Sequence, residues 1–132
     1  MYLKFSNEIE DEVSNLLSDL IRIDTTNPPG NETSAARFLA KTLEQEGLRC
    51  EILESRKYRG NIITRIRGSG EKPSLLLLSH LDVVPALPKE WSVHPFSGLV
   101  KQGFVWGRGA LDCKGLVTIE TMVTKLLLRN KI

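Results

Sequence analysis

An α/β fold, with helices packed on a mixed sheet, is predicted from three features of this sequence. Apolar residues at helical spacing occupy both ends of the chain. Isoleucine-rich, strand-like segments fill the middle, and an unbroken leucine run, Leu75 to Leu78, follows them. The 132 residues make one domain at most, and a chain of this size buries about two thirds of its unfolded surface, enough for a real core.

The first helix is expected to open at Asn7, with Glu10 as its capping-box partner. Ile9, Val13, Leu16, Leu17, Leu20 and Ile21 then recur at helical spacing. It must stop before Pro28, Pro29 and Gly30 in the stretch DTTNPPGNE, Asp24 to Glu32, because the two prolines lack amide donors. Asn31 can cap a second helix whose face carries Ala35, Phe38, Leu39 and Leu43, with Gly47 as its C-terminal stop. Cys50 to Leu53 and Asn61 to Arg67 read as an antiparallel strand pair around a charged turn at Ser55 to Gly60. Ser74 to Ser79 is all but wholly apolar and short, as suits a strand covered on both faces, and Pro73 and Pro85 bound it. Loop dominates Leu81 to Gly109, with a small hairpin, Gly98 to Lys101 and Phe104 to Trp106, around Gln102-Gly103. A third helix is predicted over Lys114 to Arg129, with Leu116, Ile119, Val123, Leu126 and Leu127 as its apolar face.

Composition removes several classes of function. Apolar residues are 41% and charged residues 26%, and 18 Lys+Arg against 16 Asp+Glu leave a net charge of +2. That balance argues against nucleic acid or a membrane surface as partner. No stretch approaches the roughly 20 apolar residues that span a bilayer, and the opening MYLKFSNEIEDEV lacks the apolar core of a secretory signal. Cys50 and Cys113 are the only cysteines, so a reducing, cytoplasmic setting is expected.

The chemistry concentrates in two motifs. SHLDVVP, Ser79 to Pro85, lies at the end of the leucine run, and strand ends are where open α/β sheets place reactive groups. In extended backbone His80 and Asp82 project to one face, where a carboxylate can hold one imidazole nitrogen and leave the other for a metal. By spacing alone the pair is a weak signal, since most such pairs are surface accidents. GRGALDCKG, Gly107 to Gly115, places Asp112 just before a predicted helix, where an isolated Asp reads first as an N-cap. Arg108 reads as a surface charge or as the partner of a carboxylate. Lys114 at a helix start is poorly placed for a cation and implies a compensating anion nearby.

SHLDVVP, EWSVHPFSG at Glu90 to Gly98 and GFVWGRGALDCKG, with DTTNPPGNE before them, resemble in order and distance the M20 metallopeptidase family. That family includes acetylornithine deacetylase, succinyl-diaminopimelate desuccinylase, aminoacylase-1 and carboxypeptidases. The resemblance implies the first half of a zinc-dependent exopeptidase (phosphorylase/hydrolase-like) catalytic domain. It implies that His80 binds one of two Zn2+ (or Co2+) ions, that Asp82 orients its ring in a catalytic role, and that Asp112 bridges both metals and precedes a cis peptide bond. Cys113 stands where methionine is common and reads as a small core residue. His94 is expected to fold its loop, and Trp91 and Trp106 to anchor the glycine-rich segment.

The resemblance also implies what residues 1–132 lack: the Glu-Glu pair of general base and ligand, a further acidic ligand, a final histidine, the lid domain used for dimerisation, and the C-terminal catalytic half. Catalytic zinc normally takes three protein ligands and a water. The expectation is therefore an incomplete, inactive metallo-amidohydrolase, holding metal weakly or not at all. When whole, it would cleave an N-acyl amino acid or peptide. The alternative is a non-catalytic domain that self-associates, or pairs with a complementary chain, through an unpaired sheet edge.

Overall fold

The computed structural model describes residues 7–131. Three helices, α1 (Asn7–Arg22), α2 (Glu32–Glu44) and α3 (Lys114–Arg129), frame two antiparallel hairpins, β1 (Cys50–Arg56) with β2 (Arg59–Thr64) and β3 (Leu99–Lys101) with β4 (Phe104–Trp106). The α/β class stands. Its β component consists of these two hairpins and one isolated parallel bridge, Thr26 to Val83.

The core sits where the three helices meet. Leu20, Ala35, Leu39, Cys113 and Val117 form it, with Ile23, Phe38, Ile62 and Leu81 packed against them. In α1, Leu16, Leu20 and Ile21 turn inward as their spacing predicts. Asn7 is itself helical, so the cap of α1 lies outside the described residues. Asn31 occupies the N-cap of α2, but its side chain bonds no helix amide. It accepts the Ser34 hydroxyl at 2.8 Å and donates to Asp24 O at 3.2 Å, tying the helix start to the preceding loop. Gly47, at φ +86°, ends the segment in the left-handed region as expected.

The β1–β2 turn is tighter than the sequence suggests. The strands extend to Arg56 and Arg59, and the chain reverses at Lys57-Tyr58. The Glu54 carboxylate explains the tightness. It accepts the Tyr58 amide at 3.0 Å and the Thr33 hydroxyl at 2.7 Å, closing the turn and docking it on the start of α2. In the second hairpin Gln102 and Gly103 both have positive φ, as a two-residue primed turn demands.

Two expectations are corrected. Ser74 to Ser79 forms no strand, and Leu75, Leu76 and Leu78 are more than three-quarters exposed. A strand needs backbone partners for its amides and carbonyls; among the described residues Ser74 to Ser79 has no ladder contact, and the nearest bridge comes later, at Val83. The bounds of α3 are as predicted, but its inward face is not. Lys114, Val117, Thr118, Thr121, Met122 and Lys125 are buried, while Leu116, Ile119 and Val123 face outward. Threonines can line a core because each hydroxyl finds a carbonyl one turn back: Thr118 donates to Lys114 O and Thr121 to Val117 O, both at 2.8 Å.

Candidate metal centre

The parallel bridge builds the site. Val83 N donates to Thr25 O at 3.1 Å and Asn27 N to Val83 O at 2.9 Å, while the Thr25 hydroxyl donates to Leu81 O at 2.6 Å. These bonds stretch residues 81–83 beside the DTTNPPGNE loop. His80 and Asp82 then lie on one side of the chain. The imidazole Nδ1 is 3.1 Å from Asp82 Oδ1 and 3.0 Å from Asp82 O.

Asp112 arrives from the other direction. Lys114 N donates to Gly109 O at 2.8 Å, which folds residues 109–114 back on themselves. Lys114 is wholly buried, and its Nζ donates to Leu20 O at 3.0 Å and to Ile23 O at 2.6 Å. The ammonium is held directly by the carbonyl end of α1, whose dipole is negative, and the Asp24 charge acts on it as the expected compensating anion. The N-cap of α3 is Cys113, not Asp112, and the Asp112–Cys113 peptide bond is cis. Freed from capping, Asp112 is exposed and its Oδ1 lies 3.0 Å from His80 Nε2.

Cys113 lies behind these groups. Its buried Sγ accepts the His80 amide at 3.3 Å and donates to His80 O at 3.1 Å, so the thiol clasps the histidine's backbone. Its expected place in the core holds. One ligand atom from each of His80, Asp112 and Cys113 also falls within 4.8 Å of the others.

Electrostatics follow from this packing. Burial pulls the His80 imidazole toward neutrality, but hydrogen bonds and charges from Asp112 and Asp82 outweigh it and raise its pKa. Asp82 is held low, foremost by a hydrogen bond from Asn27 and then by His80, against the cost of burial. With Nδ1 committed to Asp82, Nε2 and the Asp112 oxygen are two lone pairs facing each other. Only a proton or a cation between them makes that arrangement favourable. An N/O donor pair backed by a thiol suits a divalent ion of intermediate softness.

The remaining motif residues serve the loops. His94 Nδ1 accepts the Phe96 amide at 3.2 Å. The Arg108 guanidinium lies 5.1 Å from the Trp91 ring centroid, and Trp106 donates to Lys101 O at 3.3 Å within its hairpin. Asn27 donates to Asp82 from the side and Arg59 donates to Asn27, and the sequence alone marks neither as a site residue. Asn27 sits in a quoted motif, but nothing local to it points at Asp82.

The chain is similar to several known proteins. Residues 76–132 match the model for Peptidase family M20/M25/M40. The chain is 37% identical over 103 residues to aminoacylase-1 of Sus scrofa, an alignment covering 75% of this chain and 25% of that protein. It is 33% identical over 125 residues to a probable succinyl-diaminopimelate desuccinylase of Staphylococcus aureus, covering 93% and 30%. The chain is thus similar to the M20 peptidase family. A third M20 relative, the N-fatty-acyl-amino acid synthase/hydrolase PM20D1 of Bos taurus, is 51% identical over 67 residues, 48% of this chain and 13% of the relative. The fold agrees with the crystal structure of the M20 family metallo-carboxypeptidase Sso-CP2 from Sulfolobus solfataricus, at TM-score 0.72 and 24% identity over 96% of this chain and 28% of that one. The chain spans less than a third of the length of each relative named.

Proposed function

We propose that this chain carries part of the metal centre of an M20 hydrolase that cleaves the amide bond of an N-acyl amino acid or a peptide. The observation that carries the reading is the meeting of His80 Nε2 and Asp112 Oδ1 at 3.0 Å, with Asp82 behind the ring. His80 and Asp112 are the metal ligands, and Asp82 positions the imidazole and stabilises its charge. A bound Zn2+ or Co2+ would supply Lewis acidity, polarising a carbonyl and acidifying a water. Among the described residues two such ligands meet, and the reading assigns residues 1–132 to the N-terminal portion of the catalytic domain. That share agrees with coverage of about 30% of the desuccinylase relative. Among the described residues no helix is long and apolar enough to cross a membrane, and both cysteines are free; this supports a cytoplasmic setting.

Titration of the 132-residue chain with Zn2+ and Co2+ tests the assignment. Weak binding is expected, falling about tenfold or more in His80→Ala and in Asp112→Ala, as loss of one of so few ligands requires. Unchanged affinity in both variants would overturn the site. Tight binding of two ions with turnover of an N-acyl amino acid would overturn its incompleteness.

The outward apolar faces support the second reading, self-association. The leucine run and Leu116, Ile119 and Val123 of α3 are all exposed, more than a soluble monomer commonly leaves in adjoining segments. Ser79 Oγ donates to Glu120 Oε2 at 2.5 Å and joins the two segments. Light scattering is expected to show a mass above 14.8 kDa that grows with concentration; a constant monomer mass would sink this reading.

A further inference from the structure

A line of side-chain hydrogen bonds leads away from His80. Asp82 Oδ2 accepts from Asn27 Nδ2 at 2.9 Å, and Asn27 Oδ1 accepts from Arg59 Nη1 at 3.2 Å. Arg59 Nε in turn lies 2.7 Å from Oε2 of Glu32, whose side chain is 9% exposed. The line has one direction. A guanidinium can only donate, so the Asn27 oxygen must face Arg59 and its NH2 must face Asp82. The carboxylate then has one oxygen occupied by Asn27 and the other free for the imidazole.

We propose that Asn27 is a positioning residue for the candidate metal centre: held by Arg59, it aims the Asp82 carboxylate so that His80 carries its proton on Nδ1 and offers Nε2 outward. The inference rests on the metal reading above for its purpose, though not for its geometry. The backbone does not need this side chain. The bonds from Asn27 N to Val83 O and from Val83 N to Thr25 O hold the two segments together whatever residue 27 carries. What the amide adds is aim. Asp82 O also faces Nδ1 at 3.0 Å, so loss of Asn27 shifts the tautomer balance without inverting it.

The test uses the 132-residue chain, Asn27→Ala, and Asn27→Ser, whose short hydroxyl does not reach Asp82 and whose polarity suits the loop should the alanine variant fail to fold. Nitrogen-15 shifts of the His80 ring at alkaline pH report its tautomer, which a merely structural loop residue would not move. The Nδ1–H form is expected to dominate in the parent chain and to give way to a mixture in the variants. Zn2+ affinity is expected to fall by up to about tenfold, the low end of what outer-shell partners of a metal histidine contribute. A folded variant with the parent tautomer ratio overturns the proposal, even where the parent chain binds Zn2+ and the metal reading stands. A shifted ratio in a chain that binds no Zn2+ supports the positioning role and overturns the metal reading instead.

Discussion

Lys114→Met is expected to lower the unfolding free energy by about 3 kcal/mol, since two buried carbonyls lose charge-assisted donors. In a domain of this size that corresponds to a fall of roughly 10 °C in melting temperature. Methionine preserves the volume, so no cavity forms, and the loss is that of the bonds to Leu20 O and Ile23 O. Two effects oppose each other here. Burial pulls the Lys114 pKa down to about 8, with the Asp24 charge resisting, so a charged ammonium is costly in this position. The carbonyls are costlier still when left alone, because Leu20 and the Lys114 side chain that covers them are wholly buried. The pH dependence carries a definite sign. Between about 8 and the ordinary value of 10.5 the unfolded chain holds more protons than the folded one, so the Lys114 contribution rises with pH there and is lost as pH falls through about 8. The gap between the parent chain and Lys114→Met should widen across that window in thermal melts. A methionine variant as stable as the parent would show that α1 is held by apolar packing alone.

Acid should unfold the chain through a different cluster. The Arg129 guanidinium donates to both oxygens of Glu12, at 2.7 and 2.9 Å, and to Glu46 at 2.5 Å, while the nearly buried Lys125 pairs with Glu12 as well. The Arg129 hydrogen bond foremost, against the opposing cost of burial, and then Lys125 hold the Glu12 carboxyl at about 2. Glu46 is lowered for the same leading reason. The unfolded chain therefore binds more protons as pH falls below the ordinary 4.5, and this stabilisation is complete above 4.5 and lost toward about 2. Glu12→Gln at neutral pH is expected to cost about 2 kcal/mol, the scale of a partly buried charged hydrogen bond. It should also flatten the stability profile between pH 4.5 and about 2 in urea titrations. An equally steep profile in the variant would remove Glu12 from the account.

This ion cluster and the Lys114 contact belong to what was hard to read in the residues. Lys125 and Arg129 lie one turn apart on α3, a spacing that the sequence displays, but Glu12 is 113 and 117 positions away from them. Helical spacing likewise located α3 to the residue and misjudged which face turns inward. Leucines and threonines alternate around that helix, and it is the position of α1 that makes the threonine face the buried one. The leucine run misled for a related reason. A stretch that is apolar on every side states that it can be covered, and nothing in it states by what.

What the residues determined by themselves was local: the bounds of α3, the reversal at Gln102-Gly103, the stop at Gly47, and the pairing of a ring with a carboxylate two positions on. These follow from backbone sterics and periodicity, which act over a few residues. Tertiary structure alone decided that Asp112 meets His80 across 32 positions, that Asn27 grips Asp82 across 55, and that Lys114 ends in the carbonyls of α1 rather than on an acid. Such contacts depend on which surfaces the chain brings together, and one-dimensional spacing carries no term for that.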